Sequence, residues 1–441
     1  MQTASASPTD PATRERIRGG WRRILAEYGI TVGSLGSTAG QTVMVALLPV
    51  LMAEYSPSAF MIGFAVGAEG LFALFIPYWA GALSDALPDS IARRFGRRSF
   101  FILLMAPIMA LALLLAPFLH GYWWLFAVGV LFFAALHGYL TPLWALMVDA
   151  VPDERRGRVH GARGALHSVG IGYGLIGAGL LFGVWRPLPF IIGAALIAVT
   201  TGITLRAARG SDRGAERPTS RHEGAGGWIQ ALRRSEVRWF LLANALWTGA
   251  IDGIRPYVFL FALVVLGVSI AEASLVLVFL LVGLALGAVI LGRLGDHYGR
   301  RALLVGGILL TAGALFGGIW MRQPDGAVLL LGLAGVGAAS LIALPFPLFV
   351  SMVGEDGIGR STGLYILSVG IARVGAPMLV GAAIDWGAVR YPEFQGYPMM
   401  WPMAGFMALA SVPALLMSFR RGQPETTQVV VAAEHKSSDA V

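Results

Sequence analysis

Gly292-Arg293-Leu294-Gly295-Asp296-His297-Tyr298-Gly299-Arg300-Arg301 lies between two apolar runs, each long enough to cross a bilayer. A stretch with an aspartate and three arginines cannot rest in hydrocarbon, where charge is costly, so it reads as a short water-facing turn between two helices. A degraded copy occurs earlier: Gly81-Ala82-Leu83-Ser84-Asp85, an insert, then Gly96-Arg97-Arg98. Gly96 maps to Gly299 at an offset of 203 residues, and Gly157-Arg158-Val159-His160-Gly161 maps to Gly359-Arg360-Ser361-Thr362-Gly363 at an offset of 202. Two separate turns at nearly the same offset mark a duplicated chain. Internal repeats of this kind mark transporters in which two bundles move about a central site.

Composition agrees. Of 441 residues, 56% are hydrophobic and 13% charged, against about 25% charged in soluble domains. The net charge of +8 is spread over short loops and forms no basic stripe, which argues against a nucleic-acid partner. There is no cysteine, hence no disulfide, thiolate nucleophile or cysteine metal site. No phosphate-binding loop, metal-ligand cluster or catalytic triad is legible, so neither an enzyme nor ATP-driven transport is expected, and no cofactor.

Runs of about 20 apolar residues span a bilayer, and twelve occur, from 28–53, 59–82 and 99–118 through 361–384 and 399–419. Such runs must be helices, because lipid offers the backbone no hydrogen-bond partners. With the N-terminus inside, the inner segments hold 28 of the 33 basic residues, and the outer loops hold Arg186, Arg322 and Arg390 alone. This asymmetry puts both termini in the cytoplasm. The expected organisation is a cytoplasmic tail (1–27), a six-helix bundle (28–207), a linker (208–238), a second six-helix bundle (239–419) and a disordered tail (420–441). Within the linker, Trp228 to Val237 reads as a surface-lying amphipathic helix.

Twelve spans, a central loop, and a Gly-x-x-x-Asp-x-x-Gly-Arg-Arg turn after spans two and eight resemble the major facilitator superfamily, from about residue 28 to 420. The resemblance implies the major facilitator fold: an all-α membrane protein with twelve transmembrane helices in two pseudo-symmetric six-helix bundles, multi-pass and monomeric, in a bacterial cytoplasmic membrane. It also gives the two turns a gating role, carried by Gly81, Asp85, Gly96, Arg97, Arg98 and Arg158 in the first half. In the second half the same role falls on Gly292, Asp296, Gly299, Arg300, Arg301 and Arg360. The lengthened first turn, ending Arg94-Arg-Phe-Gly-Arg98, resembles the sucrose-permease and glycoside–cation symporter branches. The Gly-Pro signature of drug antiporters is missing from span five, where Ser168 to Gly177 has glycines and no proline.

Ionisable residues inside spans are functional candidates by default. Spans three, six, nine and twelve lack them, as expected of helices facing lipid. Spans one, two, four, seven and eleven carry Gln41, Glu69, His137, Asp252 with Arg255, and Arg373. A Glu69–Arg373 pair is expected across the seam, with Glu69 as proton carrier, Asp252 second, His137 a relay, and Arg255 and Arg373 as counter-charges. One carboxylate is a poor sodium site, so the coupling ion is expected to be a proton. Gln41, Asn244, Trp247 and Tyr257 offer the amide, indole and phenol groups that hold sugars. The expected function is therefore proton-coupled symport of a small polar, sugar-like solute. The alternative is a proton-driven exporter of drugs or apolar metabolites, favoured if the cavity is greasy. A third class, a non-transporting receptor, would need no charges in its spans.

Overall fold

The computed structural model describes residues 24–209, 232–353 and 358–420, without the side chains of 153, 295–296, 358–362 and 420. Residues 1–23 and 421–441 of the tails, residues 210–231 of the linker with the first four residues of its expected amphipathic helix, and the side chains of Asp296 and Arg360 lie outside the described residues; Ser235 to Val237 belong to span seven.

The described residues are all-helical, with twelve helices long and apolar enough to span a membrane. The first six are Ile24–Ala53, Ala59–Asp85, Arg97–Phe118, Tyr122–Ala150, Glu154–Val184 and Leu188–Ala208. The second six are Ser235–Leu266, Ile270–Leu294, His297–Trp320, Pro324–Val353, Gly363–Gly387 and Tyr397–Phe419. Spans one and seven start four residues earlier than their apolar runs, because their first turns find polar partners. Glu27 pairs with Arg155 at 3.1 Å, and Glu236 with Arg234 at 2.7 Å.

The duplication is visible in the backbone. Gly96 has φ 90°, ψ 149°, and Gly299 has φ 73°, ψ 152°. Only glycine occupies this region without strain. Each glycine breaks the chain at the equivalent point, immediately before an Arg-Arg pair. The eight-residue insert of the first copy folds into a short helix, Asp89–Phe95. Arg97 secures it by donating to the carbonyl oxygens of Asp85 and Leu87 and to the Asp89 carboxylate, at 2.9, 3.1 and 3.1 Å.

Prolines interrupt two spans. Span ten breaks at Leu344, just before Pro345. Span seven leaves α-geometry at Arg255–Tyr257, around Pro256, while Pro377 stays inside span eleven. A proline supplies no amide hydrogen for the helical ladder, so such points can bend without losing further bonds.

The halves meet mainly where span two crosses span eleven. A Cβ on Gly67 would stand 2.7 Å from the Val374 carbonyl oxygen, and one on Gly70 would stand 2.7 Å from the Val374 nitrogen. Small residues allow such close backbone crossings in membranes. Toward the face away from the termini, the seam is closed by hydrogen bonds. Tyr257 of span seven donates to the carbonyl oxygens of Ala59 at 2.9 Å and Pro377 at 2.7 Å. Asp385 of span eleven accepts from Ser58 Oγ and the Ala59 amide at 2.7 Å each, and from the Phe60 amide at 3.0 Å. It thereby caps the N-terminus of span two, where the helix dipole favours an anion. Toward the terminus-bearing face Phe75 and Tyr78 of span two are exposed, while Trp79 and Leu83 line a groove with spans three and four of the same half. Gly81, Gly157, Gly161, Gly292 and Gly299 have open space where a Cβ would sit. The bundles are closed at one face and apart at the other.

Candidate functional site

The charged residues of the spans converge where spans two, seven and eleven meet. Asp252 receives one arginine on each oxygen. Arg255 Nη1 donates to Oδ1 at 3.0 Å and Arg373 Nε to Oδ2 at 2.9 Å. The Asp252–Arg255 bond follows from their spacing of three residues, which puts both on one helix face. The Arg373 bond ties span eleven to span seven within the second half.

The expected Glu69–Arg373 ion pair is therefore not the arrangement found. Glu69 is 3% exposed and accepts a hydrogen bond from Gln41 Nε2. Asp252, offering two oxygens from the same half, takes Arg373 instead. Glu69 remains close by, because its neighbour Gly70 crosses span eleven at the Arg373–Val374 backbone. His137 is buried and its Nε2 has no partner among the described residues. His167 of span five extends the polar line to Thr38 of span one, Nδ1 to Oγ1 at 2.7 Å. With Glu69 and Asp252 ionised, two acids offset two arginines and the cluster is neutral. Protonating Glu69 leaves it with a net charge of +1.

The four groups expected to hold substrate are not brought together. Gln41 is committed to Glu69. Asn244 is fully buried and donates to Ser368 Oγ at 2.7 Å, inside the second bundle. Trp247 is 1% exposed and packs edge-on against Phe240. Tyr257 belongs to the closed face.

A cavity of about 200 Å³ opens beside the cluster, between spans one and five of the first half and spans seven to ten and twelve of the second. Its lining is largely Leu, Ile, Val, Ala and Phe, with polar atoms from Thr42, Thr311, Trp401 and Arg255. Arg255 is its one charged residue. Spans nine and twelve, expected to face lipid, also turn residues toward this cavity. Among the described residues, no group of three or more His, Cys, Asp or Glu could hold a metal ion.

In the first turn, Asp85 pairs with Arg98 at 2.7 Å, and Arg98 also binds Asp149 at 3.1 Å. Asp149 was not singled out from sequence; its position at the end of span four, among basic residues, was the available signal. These bonds all lie within the first half. Arg158 is exposed, Arg300 is exposed, and Arg301 lies over the Phe419 ring at 4.6 Å, within its own half. Asp385 was missed as well, although Ser58 one residue before an apolar run is a helix-start signal.

The profile of the Major Facilitator Superfamily matches residues 30–271 and 261–438. Among solved structures, the chain is similar to a bacterial homolog of the human lysosomal transporter Spinster in an inward-facing, occupied conformation. That match has a TM-score of 0.72 and 14% identity, and covers 90% of this chain and 96% of that one. The unoccupied inward-facing form matches with a TM-score of 0.71 and 16% identity, over 92% of this chain and 99% of that one. The nucleoside transporter NupG matches with a TM-score of 0.63 and 15% identity, over 90% and 98%. No curated protein matches the sequence. At these identities the structures speak for the fold, and the profile spans nearly all of both bundles; the chain belongs to the major facilitator superfamily.

Proposed function

We propose that the protein is a proton-coupled symporter working by alternating access, with Glu69 as the proton site. Its cargo is a small solute with an apolar body and an anionic group that meets Arg255. The observation that carries this reading is the apolar cavity whose single charge, Arg255, belongs to the Asp252–Arg373 cluster beside Glu69. A proton on Glu69 gives that cluster a net positive charge and so favours an anion in the cavity. The two cargoes then bind together, which is the requirement for symport.

The sugar-like cargo expected from the sequence has less support, since Trp247 and Asn244 pack in the second bundle's core. Export of apolar metabolites is favoured by the greasy lining, but a proton and a neutral molecule gain nothing from sharing this cluster. With the termini cytoplasmic, as the arginine distribution expects, the open face is the inward one.

The test is transport in proteoliposomes under an imposed pH gradient, with radiolabelled naphthalenesulfonate and sucrose as probes. Accumulation of the sulfonate driven by acid on its own side, and lost in Glu69→Gln, is the expected result. Accumulation of sucrose alone would restore the sugar reading. Sulfonate driven by acid on the opposite side would make the protein an exporter.

A further inference from the structure

The insert in the first turn is not used by the mechanism above, and the second turn does without it. Its helix, Asp89–Phe95, stands against the start of span three and the end of span six. Between them lies a groove of about 420 Å³ lined by Arg94, Phe95, Ser99, Leu103, Leu205 and Arg209. Span three begins at Arg97 and span six ends at Ala208, so the groove sits at the depth where apolar helix gives way to water. Spans three and six make their principal contacts within the first half, away from the seam.

We infer that this groove binds the phosphodiester headgroup of an anionic phospholipid. Both guanidiniums are exposed, and neither Arg94 nor Arg209 has a carboxylate partner among the described residues. Arg97, in contrast, is spent on Asp89. Two arginines without a carboxylate partner, Arg94 lying over the Phe95 ring at 5.1 Å, face one groove and suit a phosphate, to which guanidinium bonds with matched geometry. Phe95, Leu103 and Leu205 give the groove an apolar wall, and Leu103 is 45% exposed on the outer face of span three. That wall offers a path for an acyl chain, which a free phosphate would not need. Basic pockets between spans at this depth are the usual seats of anionic headgroups.

Native mass spectrometry of the purified full chain tests the inference, titrating dioleoylphosphatidylglycerol, dioleoylphosphatidylcholine and inorganic phosphate. Phosphatidylglycerol should be retained over phosphatidylcholine by roughly 25-fold, about fivefold for each arginine. Arg94→Gln and Arg209→Gln should each remove about fivefold of that preference, and the double variant nearly all of it. Arg93→Gln, exposed on the same helix but outside the groove, should leave it unchanged. Equal retention of the two lipids, a preference that survives the double variant, or an equal loss in Arg93→Gln overturns the inference. Displacement of phosphatidylglycerol by millimolar phosphate reassigns the groove to free phosphate and overturns the lipid claim. The substituted residues are exposed, so the variants fold as the parent does.

Discussion

Asp252 holds two arginines, and that arrangement sets what each residue of the site can do. Removing its charge leaves Arg255 and Arg373 without their shared carboxylate, each with about a third of its side chain exposed. Asp252→Asn should destabilise the protein by about 1–2 kcal/mol, below the range for a fully buried pair because water reaches both guanidiniums. Adding Arg373→Gln should restore part of the loss. A thermal-unfolding double-mutant cycle reads the coupling, and strictly additive effects would show that the pair contributes nothing. Glu69 has a neutral partner, Gln41, and can change its charge without breaking an ion pair of its own. Glu69→Gln should abolish accumulation driven by a pH gradient while leaving cargo exchange at equal pH within a few-fold of wild type. Loss of exchange together with accumulation would assign Glu69 to packing or cargo binding. Which residues in the spans are charged was legible in the sequence. Which of them pair was not, because partner choice depends on how each helix is rotated. Trp247 illustrates the same limit: an indole in a span reads identically whether it faces a cavity or Phe240.

At the scale of elements, glycine and the helix ends control the geometry. Gly96 and Gly299 take up one backbone conformation at the two copies of the turn. Alanine at either position should cost about 1–3 kcal/mol of strain, seen as a lower melting temperature. An unchanged melting temperature in both variants would mean that the turns are not so constrained. The repeat was legible because glycine and arginine leave a spacing that survives drift. The Asp385 cap was not, since its partners Ser58, Ala59 and Phe60 lie more than 300 residues away in the chain. Asp385→Asn keeps the shape and weakens the anion at the N-terminus of span two. It should shift the population toward the state open at that face, raising alkylation of a cysteine placed at Ala59, which is buried there and already carries a Cβ. Unaltered alkylation would reduce Asp385 to a local cap.

For the whole molecule, the fold was legible almost entirely from the lengths of apolar runs, because lipid admits few alternatives to helices. Only the state of the seam required coordinates. It is closed by Tyr257 and Asp385 at one face and open at the other, and that asymmetry is what rocking halves require. A secondary transporter must also visit the converse state, in which the Asp385 bonds open and the terminus-bearing ends approach. The chain contains no cysteine, so spin labels can be placed without removing native thiols. One pair, His160→Cys with Tyr298→Cys, reports the terminus-bearing face; another, Arg186→Cys with Arg390→Cys, reports the opposite face. The most direct test is double electron–electron resonance on both pairs, at neutral and acidic pH and with naphthalenesulfonate. The distance distributions should move in opposite senses, the first pair shortening as the second lengthens. Both pairs holding still under every condition, or moving together, would contradict alternating access in this protein.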